Sequence, residues 1–353
     1  MSGTHVACLV AGLLLVSTTA YDLIESVVLP RPAIGHVRLS IVLLRGLWRL
    51  WRAAGRRLRR IRQREGVLGS FGPLAVILLL LCWTGALVIG YGLILDAVSS
   101  ASHLGDSLYL SAAALLTFGL TNSVPATSLA RLIVSLEAAN GLGMVAMLVS
   151  LLFLLFSAFE RREVQVITLD AIAGAPPSGV HLLETCAELG LPGLLDEIFD
   201  DWKLWAAQVL ESHLAFPTLV YFRSSHDNEA WLNSFGAVMD AANLVLTTTT
   251  DVPHGRAELF YKVGRHLVDD LAYYFRYGEL RRPGLDRHEF DEALERLRAA
   301  GYGVRDGEAA WQAFAARRLQ YIPLLHHLAR YLDIVAAPWI GDRSYLPHRE
   351  ARP

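Results

Sequence analysis

Charged positions cut this 353-residue chain into apolar runs of unequal length. Residues 71–95 carry no charge, and residues 132–159 carry one, Glu137, before Arg161 and Arg162 close the run. A helix needs about 20 apolar residues to cross the hydrocarbon core of a bilayer, so both segments are predicted to span a membrane. Residues 6–28 give a weaker third span, because the uncharged core ends at Tyr21 and Asp22 and Glu25 follow on one helical face. Between the two clear spans, residues 106–116 are apolar and helical in composition but only about 16 Å long at 1.5 Å per residue, too short to cross. Polar, glycine-bearing sequence follows: Thr117-Phe118-Gly119-Leu120-Thr121-Asn122, then Ser123-Val124-Pro125. Non-helical backbone at membrane depth is tolerated only where it lines water or is buried in protein, so this stretch is predicted to be re-entrant.

The second half has a different rhythm. Apolar residues recur at helical spacing over 194–222, 230–246, 257–275, 290–300 and 311–332, which predicts a helical bundle. Residues 164–169 read as a short β-like run, and Ala173-Gly174-Ala175-Pro176-Pro177-Ser178-Gly179 as a linker. The fold class expected is an all-α membrane protein in three parts. Residues 1–67 hold a transmembrane helix and a linker. Residues 68–160 hold an outer helix 71–95, a short helix 106–116, the loop 117–122 and an inner helix 131–159. Residues 161–353 form an α-helical cytoplasmic domain.

Composition supports the membrane class, with 53% hydrophobic and only 19% charged residues, against about 25% charged in ordinary soluble domains. Charge asymmetry sets the expected topology. Between Arg31 and Arg64 there are eleven arginines and no acid, whereas residues 66–130 contain no Lys or Arg. Arginine-rich loops beside spans stay cytoplasmic, which puts the N-terminus outside and residues 160–353 inside, in a plasma (inner) membrane. A cleaved signal peptide ending near Ser17-Thr18-Thr19-Ala20 would export the arginine block, and residues 1–7 lack the basic start such a peptide carries. Val37, Ile41, Leu44, Trp48 and Trp51 alternate with Arg38, Arg45, Arg49 and Arg52 at helical spacing. This predicts an interfacial helix with tryptophan at headgroup level and arginine on anionic lipid. Nucleic acid is not expected as a partner, since membrane adjoins the block on both sides. Cys8, Cys82 and Cys186 support neither a disulfide framework nor a cysteine metal site.

The order of outer span, short helix, Thr-x-Gly loop, proline and inner span resembles the potassium-channel pore module, whose filter reads Thr-x-Gly-Tyr-Gly-Asp. Thr117 and Gly119 match it. The resemblance extends to bacterial potassium-channel family proteins with one extra N-terminal span, through Ser26-Val27-Val28-Leu29-Pro30, Phe159-Glu160-Arg161-Arg162-Glu163, Glu211-Ser212-His213 and Phe222-Arg223-Ser224-Ser225-His226-Asp227. It implies a homotetramer with one loop from each subunit. The Thr117 hydroxyl and the carbonyls of residues 117–120 would replace the hydration shell of a potassium ion or another monovalent cation. Phe118, Leu120, Thr121 and Asn122 complete the expected filter. Three of them depart from the family: Leu120 stands for an aromatic, Thr121 for a glycine and Asn122 for an aspartate, so an altered outer ion site is implied. Gly141 and Gly143 fall where the family often has a hinge, and small residues there serve close packing equally well. Glu137 is an ionisable group within a span, a position that is costly and by default functional. With Arg131 a turn and a half earlier, it reads as a brace for the short helix. Phe153, Phe156 and Phe159 are candidates for an apolar gate.

Chemistry is sparse in the second half. His213, His226, His266, Asp269 and Asp270, and the pair His326-His327, are the candidates for a metal or hydrolytic site, but neither ligand spacing nor a phosphate-binding loop accompanies them. No catalytic residue, metal or cofactor is expected, and the ligand of this domain is not legible. Three function classes stand: a cation channel, potassium-like or weakly selective; a non-conducting membrane sensor or scaffold derived from a channel; and a membrane-anchored enzyme using the helical domain.

Overall fold

The computed structural model describes residues 3–27, 39–99, 103–119, 125, 127–191, 193–224, 230–275 and 286–340. They fold as two compact units, Met1–Ser157 and Ala158–Pro353.

The first unit contains α1 (Gly3–Val27), α2 (Leu39–Arg56), α3 (Ile61–Val98), α4 (Leu104–Leu115) and α5 (Ser128–Ala173) as far as Ser157. Of these, α1, α3 and α5 are long and apolar enough to cross a membrane. Helices in lipid gain little from apolar contact alone, so they associate through small residues and hydrogen bonds. The contact between α1 and α3 shows both. A Cβ on Gly12 would sit 2.6 Å from the Gly90 carbonyl oxygen, so the backbones touch there. Further along, the Asp22 carboxylate accepts the Trp83 indole N–H at 2.8 Å and the Ser40 hydroxyl at 3.0 Å. The acid that weakened the first span on paper is therefore buried and supplied with donors from α2 and α3.

The linker departs from expectation. Instead of presenting its tryptophans to headgroups, α2 folds back antiparallel along α3. Ser40 lies by Asp22 and Trp83, Trp48 packs on Phe71 with ring centroids 5.0 Å apart, and the Trp51 indole donates to the Val67 carbonyl at 2.7 Å. Trp48 is fully buried. The aromatic face finds protein because α3 begins at Ile61, ten residues before the apolar run, and offers a surface to cover. At 38 residues, α3 is about 57 Å long, well beyond the roughly 30 Å hydrocarbon core.

The expected end of the inner helix and the β-like run are both corrected: α5 continues to Ala173. Arg162, Val166, Leu169 and Ala173 are buried, a period of three to four that only a helix provides. The second unit takes in this stretch together with α6 (Gly179–Leu189), α7 (Leu194–Ala215), a 3-10 turn (Pro217–Tyr221), α8 (Trp231–Thr248), α9 (His254–Phe275), α10 (Arg287–Ala299), α11 (Glu308–Arg318) and α12 (Ile322–Leu332). Sequence reasoning missed α6, although Ser178 caps it by accepting the His181 N–H at 3.4 Å. The single helix expected over 311–332 is two helices, with Pro323 in the first turn of the second. Buried on nearly every face, α8 forms the core of this unit.

One ionic cluster joins three of these helices. Asp240 on α8 accepts from Arg318 Nε at 2.8 Å, Arg318 Nη2 at 3.2 Å and the Tyr321 hydroxyl at 2.5 Å, all buried. Removing one partner of a buried pair strands the other charge. Asp240→Ala is predicted to destabilise this unit by about 3–5 kcal/mol, seen as a lowered unfolding midpoint of the full chain in detergent, while Arg287→Ala on the exposed face of α10 leaves it nearly unchanged.

Candidate functional site

The short helix α4 ends at Leu115, and its last turn is closed by the N–H groups of Leu116, Thr117 and Phe118 donating to Ala112, Ala114 and Ala113. The chain then takes a left-handed step at Thr117 (φ 54°) and another at Gly119 (φ 62°). For glycine this is free, whereas for a β-branched threonine it costs about 1–3 kcal/mol and persists only where surrounding structure enforces it. Such strain clusters at functional sites. Among the described residues of the loop, the left-handed backbone falls at Thr117 and Gly119. Thr117, Phe118 and Gly119 are exposed within the single chain. Leu120, Thr121 and Asn122 lie outside the described residues. As a helix C-terminus, the end of α4 also brings partial negative charge to this loop.

What fixes α4 is a set of contacts to α3 and α5. Ser111, midway along α4, donates to the Val88 carbonyl on α3 at 2.9 Å and is hydrogen-bonded to Glu137 Oε1 on α5. Glu137 is wholly buried. Asn140, one turn on, donates to the Tyr91 hydroxyl at 2.5 Å and so ties α5 to α3. Arg131 does a different job, donating to the Pro125 carbonyl at 3.0 Å beyond the loop. The two residues expected to form one brace therefore hold two places: the back of α4 and the returning chain. At Gly141 any Cβ would overlap the Leu115 carbonyl, so this glycine lets α5 pack closely on the end of α4. Gly143 has open space around its Cα, and α5 runs through both glycines as helix. Sequence reasoning missed Ser111 and the Asn140–Tyr91 link. The signals were a hydroxyl centred in an apolar 12-residue helix and a carboxamide inside a span.

The aromatic candidates separate. Phe153 and Phe156 are exposed on α5, but Phe159 belongs to the second unit and packs on Phe222, centroids 5.8 Å apart. The histidine candidates separate too. His266 sits on an exposed face 3.5 Å from Asp270, and His226 lies outside the described residues. His213 is buried with Nε2 3.3 Å from Arg162 Nη1 and Nδ1 2.9 Å from the Val209 carbonyl. His326 and His327 are half-buried on α12. Among the described residues, no group of three or more His, Cys, Asp or Glu could hold a metal ion.

Residues 75–158 match the protein family described as Ion channel. This chain is an all-α membrane protein whose middle segment is similar to that family. The matched segment runs from α3 through α4 and the loop to the point on α5 where the second unit begins, and so takes in Thr117, Gly119, Glu137 and Gly141. No curated protein and no solved structure matches the chain.

Two expectations follow. Gly141→Val forces α4 away from α5 and is predicted to lower the unfolding midpoint of the full chain, whereas Gly143→Val is tolerated; thermal scanning of both variants in detergent checks this. Burial, together with the Arg162 charge, pushes the His213 pKa down to about 3 from 6.5. The unfolded chain therefore binds a proton that the folded chain refuses throughout that window. Stability of the second unit is complete above pH 6.5 and falls as pH drops toward 3, at up to about 1.4 kcal/mol per pH unit. His213→Gln removes that slope, as unfolding midpoints collected across the window will read.

Proposed function

We propose that this protein is a cation channel of potassium-channel-like design, in which four identical chains each contribute one loop, residues 117–122, to a pore that conducts passively. The observation that carries the proposal is a helix too short to span, α4, delivering a Thr-x-Gly loop in left-handed backbone between two spanning helices. Each part has a task in such a pore. Carbonyls of Thr117, Phe118, Gly119 and Leu120, with the Thr117 hydroxyl, take the place of water around a monovalent cation. The C-terminal end of α4 lowers the energy of positive charge near them. Glu137 and Gly141 keep that end from shifting, and Arg131 holds the return. No cofactor and no enzymatic step is invoked.

In this reading residues 1–67 anchor and orient the pore, 68–160 form it, and 161–353 lie in the cytoplasm, with the N-terminus outside and the protein in the plasma membrane. The exposed arginines of α2 and the turn after it, among them Arg49, Arg56, Arg57, Arg59 and Arg60, face anionic lipid. Weak selectivity is the second reading, favoured by Thr121, which puts a β-branched residue where the resembling filters have glycine. The channel-derived sensor remains the outcome if nothing permeates.

Purified protein in liposomes is expected to pass potassium and to run as a tetramer by light scattering. Gly119→Ala adds a methyl at φ 62°, a conformation that costs an L-residue about 1–2 kcal/mol, and is expected to cut flux about tenfold or more. Absence of potassium and sodium flux, or flux indifferent to this change, refutes the channel. A bi-ionic reversal potential displaced from zero identifies a potassium-selective pore, and one at zero a weakly selective pore.

A further inference from the structure

One face of α9 carries charges of both signs. Glu258, Lys262, Arg265 and Asp269 recur every three to four positions, so they lie along a single stripe of the helix. Arg317, near the end of α11, and Gln320, just beyond it, stand opposite, and the two sides enclose an open cleft of about 550 Å³. That volume falls within the range of small-molecule sites, about 300–1,000 Å³. The walls are tied to one another. Glu258 accepts from Arg317 Nη1 at 3.1 Å, Asp269 accepts from Arg265 Nη2 at 2.9 Å, and Gln320 Oε1 accepts from Arg265 Nη1. Donors are nevertheless left over. Lys262 Nζ stands 3.6 Å from Glu258 Oε1, too far for a hydrogen bond, and Arg265 Nε has no acceptor. Ion pairs at a surface add little to stability, so folding alone gives little reason to gather these groups around a cleft.

The lining specifies what an occupant must carry. Lys262, Arg265 and Arg317 against Glu258 and Asp269 leave one positive charge in excess, counted without His266, which also lines the cleft. Guanidinium and ammonium groups converging in this way suit phosphate oxygens. The two carboxylates repel a bare anion, and they call for hydroxyl donors next to the phosphate. Aromatic stacking is not on offer, because Tyr261 is 5% exposed and lies beneath Arg317, whose guanidinium carbon is 4.9 Å from the ring centroid. A nucleobase finds no platform there. We propose that this cleft binds a phosphorylated polyol of sugar-phosphate size, free or borne as the headgroup of a lipid, with its phosphate on Lys262 and Arg265 and its hydroxyls on Glu258 and Asp269. The assignment stands whether or not the pore conducts.

The test is calorimetric titration of the full chain in detergent with glucose 6-phosphate. Saturable binding with a Kd of about 1 mM or tighter is expected, and glucose and inorganic phosphate are each expected to bind at least about tenfold more weakly. Lys262→Gln and Arg265→Gln each remove a charge-assisted contact and are expected to weaken binding about tenfold. The Lys262 side chain is 69% exposed, so its loss leaves the fold intact, which the unfolding midpoint without ligand verifies. Arg287→Gln, on α10 and outside the cleft, is expected to leave binding unchanged. Absence of binding, equal binding of inorganic phosphate, or affinity indifferent to both cleft variants overturns the site. Repeating the titration in nanodiscs reads the source of the ligand. Equal affinity in phosphatidylcholine with and without phosphatidylinositol 4-phosphate assigns a soluble compound, and binding blocked by the phosphoinositide assigns a headgroup; each upholds the cleft.

Discussion

The seat of α4 turns on one contact, the Gly141 backbone against the Leu115 carbonyl. A helix end leaves its last carbonyls without the internal hydrogen bonds of a helix interior, and the chain after α4 turns at once into left-handed backbone. Such an end is tolerable only if solid structure stands behind it. The missing side chain at Gly141 lets α5 provide that backing at van der Waals range, and Ser111, Glu137 and Asn140 add polar ties where the apolar surfaces give no direction. Thr117 can then be held in a left-handed conformation it would not choose.

Four of the buried charged groups share one kind of position. Each is placed where three elements meet: Asp22 between α1, α2 and α3; Glu137 beside α4 with Ser111 bridging to α3; Asp240 between α8, α11 and α12; Arg162 among α5, α7 and the 3-10 turn. Apolar packing tolerates sliding and rotation, since methyl groups fit many partners, whereas a carboxylate or guanidinium has few satisfactory neighbours in a dry interior. The polar nodes therefore specify register, and the apolar surfaces supply cohesion.

The three long apolar helices and the short helix between two of them were legible because they answer to one-dimensional rules: span length, the charge-free run, and the absence of Lys and Arg from residues 66–130. Helical periodicity likewise foretold most of the second unit. What sequence did not reveal were matters of partnership. Trp48 and Trp51 are amphipathic whichever neighbour they meet, and nothing local distinguishes a headgroup from Phe71 and Val67. Residues 164–169 alternate like a strand, but with no partner strand the helix entering from α5 simply continues and buries Val166 and Leu169. Glu137 announced itself as an ionisable group in a span, and its orientation toward α4 followed from the length of the turn after Arg131. Arg162 did not, because an arginine after a span looks like a topogenic charge until the domain that encloses it is known.

The bond from Asp22 to Trp83 has a consequence for the order in which the chain is made. The acid on α1 leaves the ribosome long before its indole partner, which lies 61 residues later. Until α3 arrives, the Asp22 carboxylate has the Ser40 hydroxyl of α2 but not the indole that completes its set of donors. Synthesis of α3 supplies Trp83 and Gly90 together, so α1 reaches these contacts only after α3 has been translated. Thus α1 is written well before the residues that position it.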